Sequence, residues 1–296
     1  MGYIWDQLKL FLLKLMELLY GLTSFALPDS LAWGLAIILM TIIVRILMHP
    51  LTQKQMVSMQ RMQKIQPMIK VLQDKYGDDK EALNREMMAL YKENKVNPAS
   101  GCLPLIIQLP IFILLYSVLY GLTRGDFNYL DFWKNVDFNN ITFLGINLGG
   151  SVLTTIANAI KLQDASGNLI PADQLGIVML LFSVFENITT SFPMLFANFE
   201  VICSWLPNLL LLILFGYLTR YQSHISSAGN SQMAMMTWFM PLFLTFICFS
   251  IPGGVLLYWG VSSLMGIIHQ VRVMRKTRVE ISQKPVLLKE KPKKNS

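Results

Sequence analysis

TIIVRILMHPLTQKQ, residues 41–55, places an arginine inside an apolar run and follows that run with His-Pro. From Leu31 to Met48 the only polar members are Thr41 and Arg45, so the block has the length and composition of a helix that crosses roughly 30 Å of hydrocarbon. An arginine at mid-helix costs about 2.5–3.5 kcal/mol on insertion scales, and less towards the ends. Arg45 lies four residues before His49, roughly 6 Å of helical rise. Two readings fit that spacing. Either Arg45 marks the end of a span and snorkels to the headgroups, or it faces a water-filled cavity shared with Thr41, one turn back, and Gln108 from the next span. In the second case it offers a fixed positive charge to an anionic or polar visitor.

Working outward, the rest of the chain supports a membrane class. It is 296 residues long and 53% hydrophobic, and its apolar residues come in blocks of about twenty that lack the polar stripe of a surface helix. Cys102, Cys203 and Cys248 stand far apart, which predicts neither a disulfide framework nor a metal site. His49, His224 and His269 are scattered, and no HExxH, GxSxG, P-loop or paired intramembrane Asp is present. The expectation is therefore a protein that is not an enzyme and uses no cofactor.

The net charge of +7 is unevenly placed. Between the first two spans lie Lys54, Arg61, Lys64, Lys70, Lys75, Lys80, Arg85, Lys92 and Lys95, and the tail from Arg272 onward is equally basic. Residues 123–204 carry only Arg124, Lys134 and Lys161 against acids that include Asp126, Asp131 and Asp137. The positive-inside rule makes the first two regions cytosolic and the third external.

These patterns predict an all-α polytopic membrane protein: a five-span helical core, a cytosolic helical hairpin and an N-terminal interfacial helix. Residues 1–27 form an amphipathic segment, because charges at Asp6, Lys9, Lys14 and Glu17 interrupt any continuous span. Span 1 occupies 28–50, with Asp29-Ser30 as its cap and His49-Pro50 as its stop. Residues 51–101 form the hairpin, with Tyr76-Gly77-Asp78 at its tip, a kink at Pro67 and Asn97-Pro98 closing it. Span 2 covers 102–122 and holds Gln108 between Pro104 and Pro110. The external segment 123–200 contains two apolar stretches, 143–160 and 175–185, read as interfacial or re-entrant helices. Spans 3 to 5 lie in 201–271, and a basic cytosolic tail, read as disordered, fills 272–296.

Four separated stretches occur in order: VRILMHPLTQKQ (44–55), GDDKEALNREMMALYKENKVNP (77–98), GCLPLIIQLPIFILLYSVLYGL (101–122) and FMPLFLTFICFSIPGGVLLYWGVSSLMGIIHQ (239–270). Together they resemble the YidC family of membrane protein insertases, in a short bacterial form without the large external domain. The resemblance implies a cytosol-open hydrophilic groove that inserts and helps fold newly made membrane proteins without nucleotide hydrolysis. It implies groove roles for Arg45, Thr41 and Gln108, and client contact at Tyr258, Trp259 and Ser262. The partners implied are nascent membrane proteins, with ribosome or targeting components at the hairpin and tail, the Sec translocon and anionic lipids as further candidates. The place implied is the bacterial inner or cytoplasmic membrane. A small-solute transporter or channel is the competing function, although no internal repeat of the kind many transporters show is visible.

Overall fold

The computed structural model describes residues 2–94, 96, 103–127, 130–160, 196, 199–226 and 231–282. Among the described residues the regular structure is helical apart from one short β-hairpin. The helices are α1 (Gly2–Ser24), α2 (Asp29–Tyr76), α3 (Lys80–Glu93), α4 (Leu103–Arg124), α5 (Val152–Ile160), α6 (Phe199–Ser226), α7 (Ser231–Cys248) and α8 (Gly253–Ser282). The hairpin pairs β1 (Thr142–Phe143) with β2 (Ile146–Asn147). Length and apolarity alone let α2, α6 and α8 cross a membrane, and shorter apolar stretches of α4 and α7 complete the five expected spans.

Helix α2 does not stop at His49-Pro50, where a helix end was expected. It runs unbroken for 48 residues through Pro50 and Pro67, about 72 Å at 1.5 Å per residue. That is more than twice the hydrocarbon thickness, so the helix that forms span 1 also forms the first arm of the hairpin. Pro50 removes the amide that would meet the Ile46 carbonyl, a defect of about 3 kcal/mol. The residues around it remain good helix formers, and the Thr52 hydroxyl lies 3.0 Å from the carbonyls of Met48 and His49 in the same turn. The start of α2 also differs from expectation. Pro28 occupies the cap position with no side-chain cap bond, and Asp29 instead accepts a 2.8 Å hydrogen bond from the Tyr20 hydroxyl.

The second arm, α3, begins where Asp79 accepts from the amides of Glu81 and Ala82. Ile65 and Ile69 of α2 pack there on Tyr91 and Val96, with Met62, Met87 and Leu90 around them. The hairpin touches the bundle where Gln63 donates to the Ile225 carbonyl at the end of α6.

The N-terminal helix docks lengthwise on the first span. Leu12, Leu13, Met16 and Leu19 form its buried stripe, and Ile4, Leu18 and Leu22 stay exposed. Tyr20 stacks on Trp33 at 4.1 Å and Thr23 donates to the Ala32 carbonyl, while Leu8 and Phe11 share a cavity of about 180 Å³ with Val44, Leu47 and Met48. Helix α1 is thus antiparallel to α2 along most of the apolar block, and it also touches α4.

One end of the bundle is fixed by contacts around the β-hairpin. Asn139 donates to the Thr123 carbonyl at the end of α4, Asn147 meets Asn208 near the start of α6, and the Gly253 amide at the start of α8 donates to the Gly150 carbonyl. The amide of Leu153 donates to Phe249 after α7. The starts of α6 and α8 and the ends of α4 and α7 therefore lie together, as an up-and-down bundle requires. Helix α8 packs on α2 and α6, and α7 packs chiefly on α6.

Two further expectations are modified. Residues 143–160 are not one helix but a two-residue hairpin turn followed by α5. Leu144 and Gly145 both have positive φ, 51° and 83°, the signature of a type I′ turn. The final span continues as helix to Ser282 instead of stopping near Val271. The stretch 175–185, the hairpin closure at 97–101 and the tail beyond 282 lie outside the described residues.

Candidate functional site

Thr41, Arg45 and His49 follow one another at intervals of four on α2, and therefore share a face. On α8, Tyr258, Ser262, Gly266 and His269, spaced four, four and three apart, also share a face. The two faces meet. Arg45 Nε donates to Ser262 Oγ at 2.6 Å, and Gln108 Nε2 on α4 donates to the Tyr258 hydroxyl at 3.1 Å. Tyr258 and Ser262 stand one turn apart on α8, so Gln108, Tyr258, Ser262 and Arg45 form a string of polar side chains across three helices. Beyond Arg45, the rings of His49 and His269 stand edge to face with centroids 4.5 Å apart.

A seat for the guanidinium is cut into α8 at Gly266. A Cβ there would lie 3.8 Å from both terminal nitrogens of Arg45 and 3.3 Å from Gln222 Nε2 on α6. Among the described residues only Nε of Arg45 has a protein hydrogen bond, and neither terminal nitrogen is a buried atom without a partner. The terminal amino groups therefore keep accessible surface. Among the described residues no carboxylate acts on Arg45; its electrostatic neighbour is Tyr258. A charge held this way, oriented at Nε and open at its ends, is suited to a visiting anionic or polar group.

The sequence-predicted residues divide into two sets. Arg45, Gln108, Tyr258 and Ser262 come together. Thr41 does not join them: it is fully buried, and its hydroxyl donates to the Ile37 carbonyl of its own helix at 2.7 Å. Trp259, one position round from Tyr258, turns about 100° away and packs between Phe112 of α4 and Phe215 of α6 at 4.5 and 5.1 Å. Gln222, Gly266 and the pairing of His49 with His269 were not singled out from the sequence. A signal existed for Gly266, which lies four residues after Ser262 on the same face, and none for Gln222, whose place depends on the packing of α6. Among the described residues no three metal-ligating side chains meet.

With this geometry in hand, the family model described as "60Kd inner membrane protein" is found to match residues 25–280. The chain belongs to that family. Members of the 60Kd inner membrane protein family to which it is similar include proteins named "Membrane protein insertase YidC". The one from Maridesulfovibrio salexigens is 31% identical over 83% of this chain and 35% of its own length. That from Anaeromyxobacter sp. is 32% identical over 82% of this chain and 33% of its own. The chain thus spans about a third of the length of these curated relatives. A solved structure titled "Active YidC insertase crystal structure with the first transmembrane domain resolved" shares the fold at a TM-score of 0.51, with 24% identity, over 88% of this chain and 45% of that one. The resemblance carried by the four motifs is the family found, and Arg45, Gln108, Tyr258 and Ser262 all lie inside the matched region. Helix α1 lies before it.

Proposed function

We propose that this protein is a membrane protein insertase and chaperone, whose clients enter a hydrophilic groove centred on Arg45 and open to the cytosol. The single observation that carries this reading is Arg45 itself: oriented by Ser262, seated over Gly266, without a carboxylate partner among the described residues, and with its terminal nitrogens accessible. The name shared by the relatives supports the same reading.

Moving a polar tail through intact hydrocarbon leaves each polar group unsatisfied, at a few kcal/mol per group. A wet groove shortens the apolar path and keeps those groups solvated until the client's own helix reaches lipid. The apolar client segment supplies the driving force by leaving water, and the membrane potential draws acidic tails outward. No nucleotide hydrolysis is required. Arg45 attracts acidic residues of the translocated tail, the half-buried Gln108 offers hydrogen bonds to its backbone, and the buried Tyr258 and Ser262 hold those two side chains in place, with Trp259 packed behind them between Phe112 and Phe215. Thr41 supports the α2 face from within.

The membrane is the bacterial inner or cytoplasmic one. The α2–α3 hairpin and the C-terminus are cytosolic, because basic residues concentrate there. The same basic surfaces receive anionic lipid and ribosome or targeting components, and the Sec translocon is a candidate neighbour.

The test is reconstitution of the purified protein alone in liposomes without nucleotide, with a single-span client bearing an acidic external tail. Protease protection of the tail is the expected outcome, with a loss on Arg45→Ala that is smaller for a client with an uncharged tail. Equal insertion of both clients by parent and variant would remove the role given to Arg45. Saturable solute flux without client insertion would favour a transporter.

A further inference from the structure

At the end of the bundle away from His49 and His269, residues 138–153 lie across the tops of the spans. Phe138, Leu148 and Val152 are buried there, and Phe143 presses on Gly34 of α2. Its ends are tied down where Asn139 donates to the Thr123 carbonyl and Leu153 to the Phe249 carbonyl, and two further attachments hold its middle to the bundle. One is made by the first amides of α8, which have no partner inside their own helix: Gly253 donates to the Gly150 carbonyl at 2.9 Å and Gly254 to the Leu148 carbonyl at 2.8 Å. The approach is so close that a Cβ on Gly253 would overlap the Asn147 carbonyl oxygen.

The other attachment is a single side chain. Asn208, fully buried on α6, accepts from the Asn147 amide at 2.8 Å and donates to the carbonyls of Asn147 and Gly150 at 3.1 and 3.2 Å. It bonds the amide and the carbonyl of one β2 residue, as a neighbouring strand would, and so completes the edge of the hairpin. Only a carboxamide does this at that size, because the position needs one acceptor and two donors.

We propose that Asn208 is a latch that holds residues 138–153 as a cap over the outer end of the groove, keeping the groove closed to external water while its cytosolic end stays open. The proposal rests on the groove reading given above. A backbone clamp such as that at Gly253 opens only if helix or cap is rebuilt, whereas the Asn208 amide lets go by side-chain rotation. The latch is therefore the point at which the cap can yield to a passing client tail and close again.

Cys248 is a built-in reporter: it is fully buried at the end of α7, and its carbonyl accepts from Ile251 in the turn beneath the cap. With Cys102 and Cys203 replaced by serine, Cys248 is the remaining thiol of the three in the chain. Sealed right-side-out vesicles are treated with a membrane-impermeant maleimide. The parent should label slowly, and Asn208→Asp, which sets a carboxylate against two carbonyls, should label roughly tenfold faster or more. Asn208→Ser keeps one bond and should fall between, and it carries the test if the aspartate variant does not accumulate. Labelling of folded variants at the parent rate would overturn the latch, and so would fast labelling of the parent. The readout needs no client, so faster labelling in the Asn208 variants upholds the latch even where Arg45→Ala leaves insertion unchanged and the groove reading falls.

Discussion

Arg45 on α2 and Ser262 on α8, 217 residues apart in the chain, are joined by a 2.6 Å hydrogen bond from Nε to Oγ. The bond fixes the plane of the guanidinium and leaves its outer amino groups free to meet a visitor. A lysine carries the charge without that fork. Insertion of an acidic-tailed client should fall roughly tenfold in Arg45→Ala, as loss of a charge-assisted contact of about 1.5–3 kcal/mol allows. Arg45→Lys should retain an intermediate level. An insertion assay across tails of graded acidity separates charge from orientation: if the lysine variant matches the parent on every tail, the bond to Ser262 has no role in clients.

The seat at Gly266 makes a second prediction. A methyl group there meets Arg45 at ordinary contact distance and Gln222 at 3.3 Å, so Gly266→Ala should be tolerated after a small shift of the flexible amide. Gly266→Leu fills the space of the guanidinium and should lower insertion as far as Arg45→Ala does. Combining Gly266→Leu with Arg45→Ala should then add little further loss, because the two changes act on one contact.

For Thr41 the structure predicts near-indifference. Its hydroxyl is satisfied by Ile37 inside the helix, so Thr41→Val keeps the shape and removes only a back-bond that slightly disfavours straight helix. Insertion should stay within about twofold of the parent, a difference of under 0.5 kcal/mol. A loss comparable to that of Arg45→Ala, measured on the same client, would mean that the hydroxyl turns into the groove during insertion.

The tip of the β-hairpin offers a stabilising change. Leu144 is exposed and sits at φ 51°, a conformation that costs a bulky residue roughly 1–2 kcal/mol. Asparagine adopts it readily, and Asn-Gly is the preferred pair for this turn. Leu144→Asn should raise the midpoint of thermal unfolding in detergent and slow labelling of Cys248 from outside. An unchanged or lower midpoint would mean that the leucine side chain has a compensating contact, in lipid or in the segment beyond residue 160.

Much of the architecture is legible along the chain because lipid imposes a strong rule: a polar backbone must be satisfied within the helix, so a long apolar run has one structural outcome. Helix α4 (Leu103–Arg124) begins and ends within two residues of the apolar run 102–122, whereas α8 continues as helix eleven residues beyond 271. Helix α2 departs furthest, because the local preference of the residue before Pro50 predicts a stop. One missing hydrogen bond is a small defect in a helix of 48 residues whose far end packs on α3 and the end of α6. At the other end, the hairpin at 142–147 was hidden because its strands are two residues long and its turn carries Leu-Gly instead of a typical turn pair.

The sequence by itself determined that this is a five-span membrane protein with a basic hairpin, that Arg45 is out of place in lipid, and that Arg45, Gln108, Tyr258 and Ser262 are worth attention. Those conclusions follow from periodicity, length and charge, which are properties of neighbours in the chain, except that Tyr258 is reached through the family resemblance. Only the tertiary structure decided what Arg45 meets. Its bond reaches Ser262 on α8, its seat is a missing side chain at Gly266, and Thr41 on the same face is spent on its own helix. Helix spacing gives each residue a direction. What stands in that direction is set by how α2, α4, α6 and α8 pack.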